Sequence, residues 1–185
     1  MDLTPLKNLI PEHARDLKLN VASVLTEEGA PGLSRAQILG AALASAVAAR
    51  NPALLREVEA VVAAELDEAH LRAARAAAAV MGMNNVYYRF LHLVGNDEYG
   101  KLPARLRMNV IGSPGVPQVD FEVYSLAVSA INGCGACVAA HEKALREAGL
   151  AALGVQSAVR IAAVVHGIAV ALESVPPAAP SRHAA

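Results

Sequence analysis

Lysine and arginine never cluster in this sequence, and a formal net charge of −1 leaves no basic surface to neutralise a row of phosphates. Nucleic acid is therefore not an expected partner. The first residues, Met1-Asp2-Leu3-Thr4-Pro5-Leu6-Lys7, lack the basic segment, apolar run and small-residue cleavage site of a secretory signal, so a cytoplasmic location is expected. Long hydrophobic runs are scarce as well. The uncharged stretch 161–172 is too short to cross a bilayer, and the stretch 123–140 is interrupted by Tyr124, Ser125, Ser129, Asn132, Gly133 and Gly135. A buried core helix is the better reading of the second stretch, and no membrane association is expected. Cysteine is nearly absent too, with only two in the chain. Structural disulfides are rare in the cytosol, so a lone pair there points to catalytic, redox-sensing or metal-binding chemistry.

Aromatic residues make up 3% of the 185-residue chain, strand-like alternation is almost missing, and alanine dominates. These features predict an all-α, single-domain helical bundle whose small side chains let helices pack closely. The length suffices to bury a core without staples. Proline and glycine divide the chain into expected helices at about 11–25, 34–49, 52–66, 68–82, 84–93, 98–109, 118–132, 134–148 and 154–174. The domain is expected to cover 1–175. Residues 176–185, with Pro176-Pro177-Ala178-Ala179-Pro180, are expected to form a frayed tail.

A faint internal two-fold helical repeat is visible. Leu43-Ala44-Ser45-Ala46-Val47 resembles Ala127-Val128-Ser129-Ala130-Ile131, and Arg75–Gly82 resembles Arg160–Gly167. The pairing sets Arg50 against Cys134 and Ala53 against Cys137.

Chemistry concentrates in Cys134-Gly135-Ala136-Cys137-Val138-Ala139-Ala140-His141. On a helix advancing roughly 100° per residue, positions 134, 137 and 141 fall within about 60° of one another. A thiol becomes a nucleophile when deprotonated, and an imidazole or a helix N-terminus lowers its pKa. These two effects favour different sulfurs. Asn132-Gly133 signals a break, so a helix starting there favours Cys134 through its dipole, whereas His141 lies four residues beyond Cys137 and favours that thiol. Both remain candidates. Cys134, Cys137 and His141 could alternatively ligate zinc, with Glu122 or water as the fourth ligand, although three ligands on one helix face cross-link little. A third reading is a helical assembly protein whose thiols sense oxidants or are simply buried.

Other residues invite plainer explanations. Glu122 suits the first turn of a helix begun after Pro117, and His166 suits a core position with a hydrogen-bonded ring. Met81, Met83, Tyr87 and Tyr88 suit core packing or an apolar channel, and Glu142 with Arg146 forms a helix-surface pair. His13, His70, His92 and His183 show no partners in the sequence.

The pattern Glu-x11-Cys-x2-Cys-x3-His, met by Glu122, Cys134, Cys137 and His141, resembles the alkyl hydroperoxidase D family within the carboxymuconolactone decarboxylase-like superfamily. Supporting stretches are Asp16–Asn20, Ala49–Pro52, Met81–Arg89 and Leu106–Ile111, so the likeness runs from about residue 5 to residue 172. The resemblance implies a helical subunit that assembles as a homo-oligomer, often a trimer. It implies that Cys137 attacks a hydroperoxide, that Cys134 resolves the sulfenic acid into a disulfide, and that His141 and Glu122 move protons. No bound cofactor is implied. Dihydrolipoamide, carried by a subunit of a 2-oxoacid dehydrogenase complex, would be the reductant, and a peroxiredoxin would receive electrons. Some members of the family carry histidine immediately before the second cysteine, where this chain has Ala136, which implies a relay step that is missing or replaced by water. A lactone decarboxylase-like activity is a further alternative in the superfamily, but that chemistry has no evident need for paired thiols.

Overall fold

A computed structural model describes residues 1–175. Its elements are α1 (Thr4–Leu9), a 3-10 turn (Glu12–Ala14), α2 (Asp16–Val24), α3 (Arg35–Ala49), α4 (Pro52–Val62), α5 (Glu68–Leu93), α6 (Glu98–Lys101), α7 (Asn109–Gly112), α8 (Gln118–Ile131), α9 (Gly135–Glu147) and α10 (Ala152–Glu173). No strand occurs among the described residues, so the all-α class holds. The expected tail, 176–185, lies outside them.

Local chemistry sets several helix starts. Ser34 and Gln37 form a reciprocal capping box at α3, Asn51 caps Leu54 N–H ahead of Pro52 at α4, and Asp67 accepts from His70 N–H at α5. Several boundaries differ from expectation, and α4 ends at Val62 where 66 was expected. The helix expected at 11–25 is a 3-10 turn followed by α2, and an additional helix, α1, precedes it, separated by Ile10, which is held extended ahead of Pro11. The expected helices at 68–82 and 84–93 are one helix of 26 residues running through Gly82. A helix-interior glycine costs only about 1 kcal/mol, which the buried stripe of Ala73, Ala74, Ala77, Ala78 and Met81 outweighs. The span 98–109 is helical only at its ends, since Leu102 is extended before Pro103.

The core forms around α3, which packs against α5, α8 and α10. Ile38, Leu39 and Leu43 are fully buried, and the alanines between them allow close helix approach. Gly40 is indispensable to that approach: a Cβ there would overlap the ring of Tyr124 on α8. The Tyr124 hydroxyl donates to Ala36 O at 3.0 Å, fixing the two helices side by side. Burial pushes the Tyr124 phenol well above its ordinary pKa, so it stays a neutral donor.

The stretch 161–172, judged too short to span a bilayer, belongs to the 22-residue helix α10, whose most apolar window has a mean hydropathy of 1.7. Half of that window is buried inside the fold, where α10 packs on α2, α3 and α8, as a core helix does. The stretches paired by the internal repeat lie on α3 with α8 and on α5 with α10. At the α3–α4 junction, left-handed Arg50 precedes the capping residue Asn51, and at the α8–α9 junction left-handed Gly133 precedes the capping residue Cys134. Asn51, rather than Arg50, therefore stands where Cys134 does. On this likeness we propose that the two halves are related.

Candidate active site

The turn that presents the cysteines is set by backbone hydrogen bonding. Helix α8 ends on Asn132, and Gly133 adopts φ = 66°. Cys134 N–H then bonds Ser129 O at 3.1 Å and Gly133 N–H bonds Ala130 O at 3.2 Å, a Schellman closure that satisfies two orphan carbonyls. Cys134 follows in an extended conformation and caps α9, its Sγ accepting from Cys137 N–H at 3.3 Å. It is therefore not on the helix face expected for it: only Cys137 and His141 share the α9 surface. The two sulfurs are nevertheless joined in a disulfide, with the Cα atoms 5.3 Å apart.

Helix α5 grips this turn. Asn85 Nδ2 donates to Ser129 Oγ at 2.9 Å, Asn132 Nδ2 donates to Asn85 Oδ1 at 2.9 Å, and Arg89 Nη1 donates to Asn132 O. Asn85 is almost fully buried, so its bond to Ser129 is made away from water and the loss of that bond is costly.

Glu122 is not the first-turn acid it resembled in sequence. Asp120 occupies the first turn of α8, and Glu122 sits deeper in the helix, 2.7 Å through Oε2 from His141 Nδ1. Both side chains are mostly buried, at 13% and 12% exposure, so water screens the contact weakly. Burial pushes the Glu122 carboxyl pKa up, but the hydrogen bond and charge of His141, with a 3.0 Å bond from Gln118 Nε2, pull it further down. The carboxylate is ionised and can only accept, so Nδ1 of His141 carries a proton. The other ring nitrogen, Nε2, lies 3.2 Å from Met81 Sδ.

Cys137 and His141 line a cavity of about 240 Å³ walled by Met81, Tyr88, Met108 and Ile111. Ala136 and Ala140 complete the α9 side, so the residue replacing a histidine of some family members gives the cavity a methyl group. Cys134 is fully buried and is not part of the lining, whereas Cys137 retains 6% exposure. Of the four side chains weighed as core or channel, Met81 and Tyr88 face the cavity. Met83 lines a separate groove, and Tyr87 packs edge-on against Tyr88.

The remaining histidines divide clearly. His166 is exposed on α10 rather than buried in the core, and it lines a surface groove beside Ala130 and Ile131 at the end of α8. His70 has partners after all: Asp67 Oδ1 at 2.8 Å and Asp120 Oδ2 at 3.3 Å, and Gln37 Nε2 donates to the other Asp120 oxygen at 2.8 Å. His13 lies 3.1 Å from the Ser174 hydroxyl, His92 is exposed, and His183 is outside the described residues. Glu142 and Arg146 pair at 4.0 Å on the surface of α9. Among the described residues, no group of three His, Cys, Asp or Glu side chains is arranged to hold a metal ion. The sequence reading passed over Asn84, Asn85 and Arg89 as site residues. The signal available was their place in the stretch 81–89, which with 3.6 residues per turn must show several side chains to the α8–α9 turn.

Fold and site together define an all-helical thiol–disulfide protein with an imidazole–carboxylate pair beside the sulfurs. The family model described as "Carboxymuconolactone decarboxylase family" matches residues 97–179. The chain is 53% identical over 174 residues to a protein of Rhodospirillum centenum named alkyl hydroperoxide reductase AhpD, covering 94% of this chain and 92% of that one. It is 52% identical over 174 residues to a protein of the same name from a Bradyrhizobium species, covering 94% of each. A Coxiella burnetii protein, also so named, is 52% identical over 167 residues, covering 90% of this chain and 94% of its own. The chain belongs to the alkyl hydroperoxide reductase AhpD family.

Proposed function

We propose that this protein is a thiol-dependent hydroperoxide reductase working through a Cys134–Cys137 dithiol–disulfide cycle. The observation that carries the reading is a disulfide with one sulfur facing an apolar cavity, beside a histidine anchored by a buried carboxylate. In the reduced protein His141 takes the Cys137 proton, and the thiolate attacks the terminal oxygen of R–O–O–H. The S–O bond forms as the O–O bond breaks, leaving Cys137 as a sulfenic acid, and the departing alkoxide takes the proton back from His141. Cys134 then displaces water from the sulfenic acid to give the disulfide, and a small dithiol restores both thiols by exchange. Glu122 holds the ring tautomer and stabilises the imidazolium. With Ala136 in the wall, no second histidine takes part.

Dihydrolipoamide on a dehydrogenase-complex subunit is the proposed reductant, a peroxiredoxin the proposed electron acceptor, and the cytoplasm the proposed location. These circuit assignments rest on family membership. A homo-oligomer, proposed as a trimer, has a physical support of its own. Val86, Phe90 and Leu93 form an i, i+4, i+7 stripe on the end of α5 and are 60%, 46% and 73% exposed. An apolar row of that kind marks a protein contact surface.

The test is peroxide consumption with dihydrolipoamide as electron donor, run on the parent and on Cys134→Ser and Cys137→Ser. Turnover by the parent and loss in both variants is the expected result. Unimpaired turnover in Cys137→Ser rules the cycle out.

A further inference from the structure

Inside the cavity, the carboxamide of Asn84 has no assignment in the cycle. Asn84 is 4% exposed, lines the cavity with Cys137 and His141, and its Oδ1 is buried without a hydrogen-bond partner. Ser45 and Ser125 also hold unpaired buried oxygens, but neither lines this cavity. A buried acceptor left unpaired is destabilising, and its neighbour Asn85 by contrast has both its side-chain nitrogen and oxygen bonded into the α8–α9 turn. The final torsion of an asparagine is broad and roughly two-fold, so its amide head can turn either atom toward the cavity.

Resting on the peroxide-reductase reading, we propose that the Asn84 carboxamide is a substrate-binding group that accepts the O–H of an alkyl hydroperoxide and aims its terminal oxygen at Cys137. Asn84 lies on the same α5 face as Met81 and Tyr88, three residues before it and four after it, and this face opposes Cys137 and His141 on α9. With the amide head turned so that Oδ1 opens on the cavity, the hydroperoxyl proton bonds Asn84 Oδ1, the apolar group R lies against Met81, Tyr88, Met108 and Ile111, and the terminal oxygen is left open to the thiolate. The substrate class is therefore a hydroperoxide with a compact apolar substituent. A substrate with no R group has nothing to fill the apolar wall and is turned over more slowly.

The experiment uses the full chain, reduced with dithiothreitol that is then removed, and Asn84→Leu and Asn84→Ala variants. The rates of Cys137 oxidation by cumene hydroperoxide and of Cys137 alkylation by iodoacetamide are measured side by side. Loss of one hydrogen bond to substrate is expected to slow the peroxide reaction about tenfold while changing alkylation by less than about twofold. A peroxide rate equal to the parent's overturns the proposal. So does a parallel fall in both rates, which would mean that Asn84 only maintains the thiolate. If the parent itself does not react with peroxide, the functional reading fails instead. A measurement independent of Asn84 variants uses the Cys134→Ser/Cys137→Ser chain with nitrogen-15 asparagine. The Asn84 side-chain amide signal is expected to shift with cumene hydroperoxide and not with cumene, and an unmoved signal overturns the proposal.

Discussion

Glu122→Gln removes a charge and keeps the shape, which makes it the sharpest probe of the proton relay. In the parent, Glu122 Oε2 lies 2.7 Å from His141 Nδ1 with both side chains largely out of water. When His141 accepts the Cys137 proton, a neutral ring becomes an imidazolium facing a carboxylate. A hydrogen bond to a charged group is worth about 1.5–3 kcal/mol, and glutamine keeps only the neutral part of it. The difference is about 1–1.5 kcal/mol, and at about 1.4 kcal/mol per factor of ten the rate of Cys137 oxidation should fall about fivefold to tenfold. The assay is stopped-flow loss of free thiol in the reduced protein mixed with excess cumene hydroperoxide. The pH dependence has a definite sign. The folded-state pKa of Glu122 lies below its ordinary value of 4.5, so its contribution is constant across neutral pH. It is fully present above that ordinary value and is lost only as pH falls through the lowered one. The parent-to-variant ratio should therefore be flat across neutral pH and shrink in acid. A variant that oxidises at the parent's rate at neutral pH, with its fold intact, refutes the relay.

Further consequences concern the scaffold. Asn85→Ala strands Ser129 Oγ and Asn132 Nδ2 without their partner and should destabilise the protein by about 2–3 kcal/mol, read as a lower urea midpoint. Gly40→Ala drives a methyl group into the Tyr124 ring and should cost about 3 kcal/mol in the same experiment, partly recovered by adding Tyr124→Leu. For His70, burial lowers the pKa, but the bonds to Asp67 and Asp120 outweigh it and the net shift is upward. Its stabilisation is full below the ordinary histidine value of 6.5 and disappears as pH rises through the raised one. The stability gap between the parent and His70→Gln should therefore narrow with rising pH, and a gap that widens contradicts this assignment.

Legibility in the sequence followed the range of the interactions involved. The all-α class was readable because alanine-rich periodicity is local, and the cysteine–histidine pair was readable because Cys137 and His141 are one turn apart on α9. The Glu122 partnership spans 19 residues, and spacing alone offered the first-turn reading that Asp120 in fact fills. Cys134 was misplaced on a helix face because a capping residue and a first-turn residue differ by a backbone torsion that composition does not encode. Asn84 and Asn85 look alike in sequence, yet one is bonded into a turn and the other faces a cavity, a distinction created only when α5 packs on α8 and α9. His166 was read as a core residue because the α10 sequence around it is apolar on every side. Which of its faces meets solvent depends on the helices packed against it.

The two effects that divided the cysteines in the sequence both survive in the structure, and neither selects the attacking sulfur. Cys134 Sγ accepts Cys137 N–H at the start of α9, so charge placed there meets the positive end of the helix. Cys137 stands one turn from the anchored His141. Access distinguishes the two sulfurs. Gly133, held by the Schellman closure and by α5, turns the chain so that Cys134 is sealed beneath α9 while Cys137 faces the cavity. Of the two sulfurs only that of Cys137 lines the cavity, which suits the attacking role proposed for it, and Cys134, bonded to it, is placed for the proposed resolving role. In the proposed cycle the order of attack thus follows from a glycine turn. A bulky thiol reagent added to the reduced protein should modify Cys137 first at every pH, and Cys134 only after unfolding.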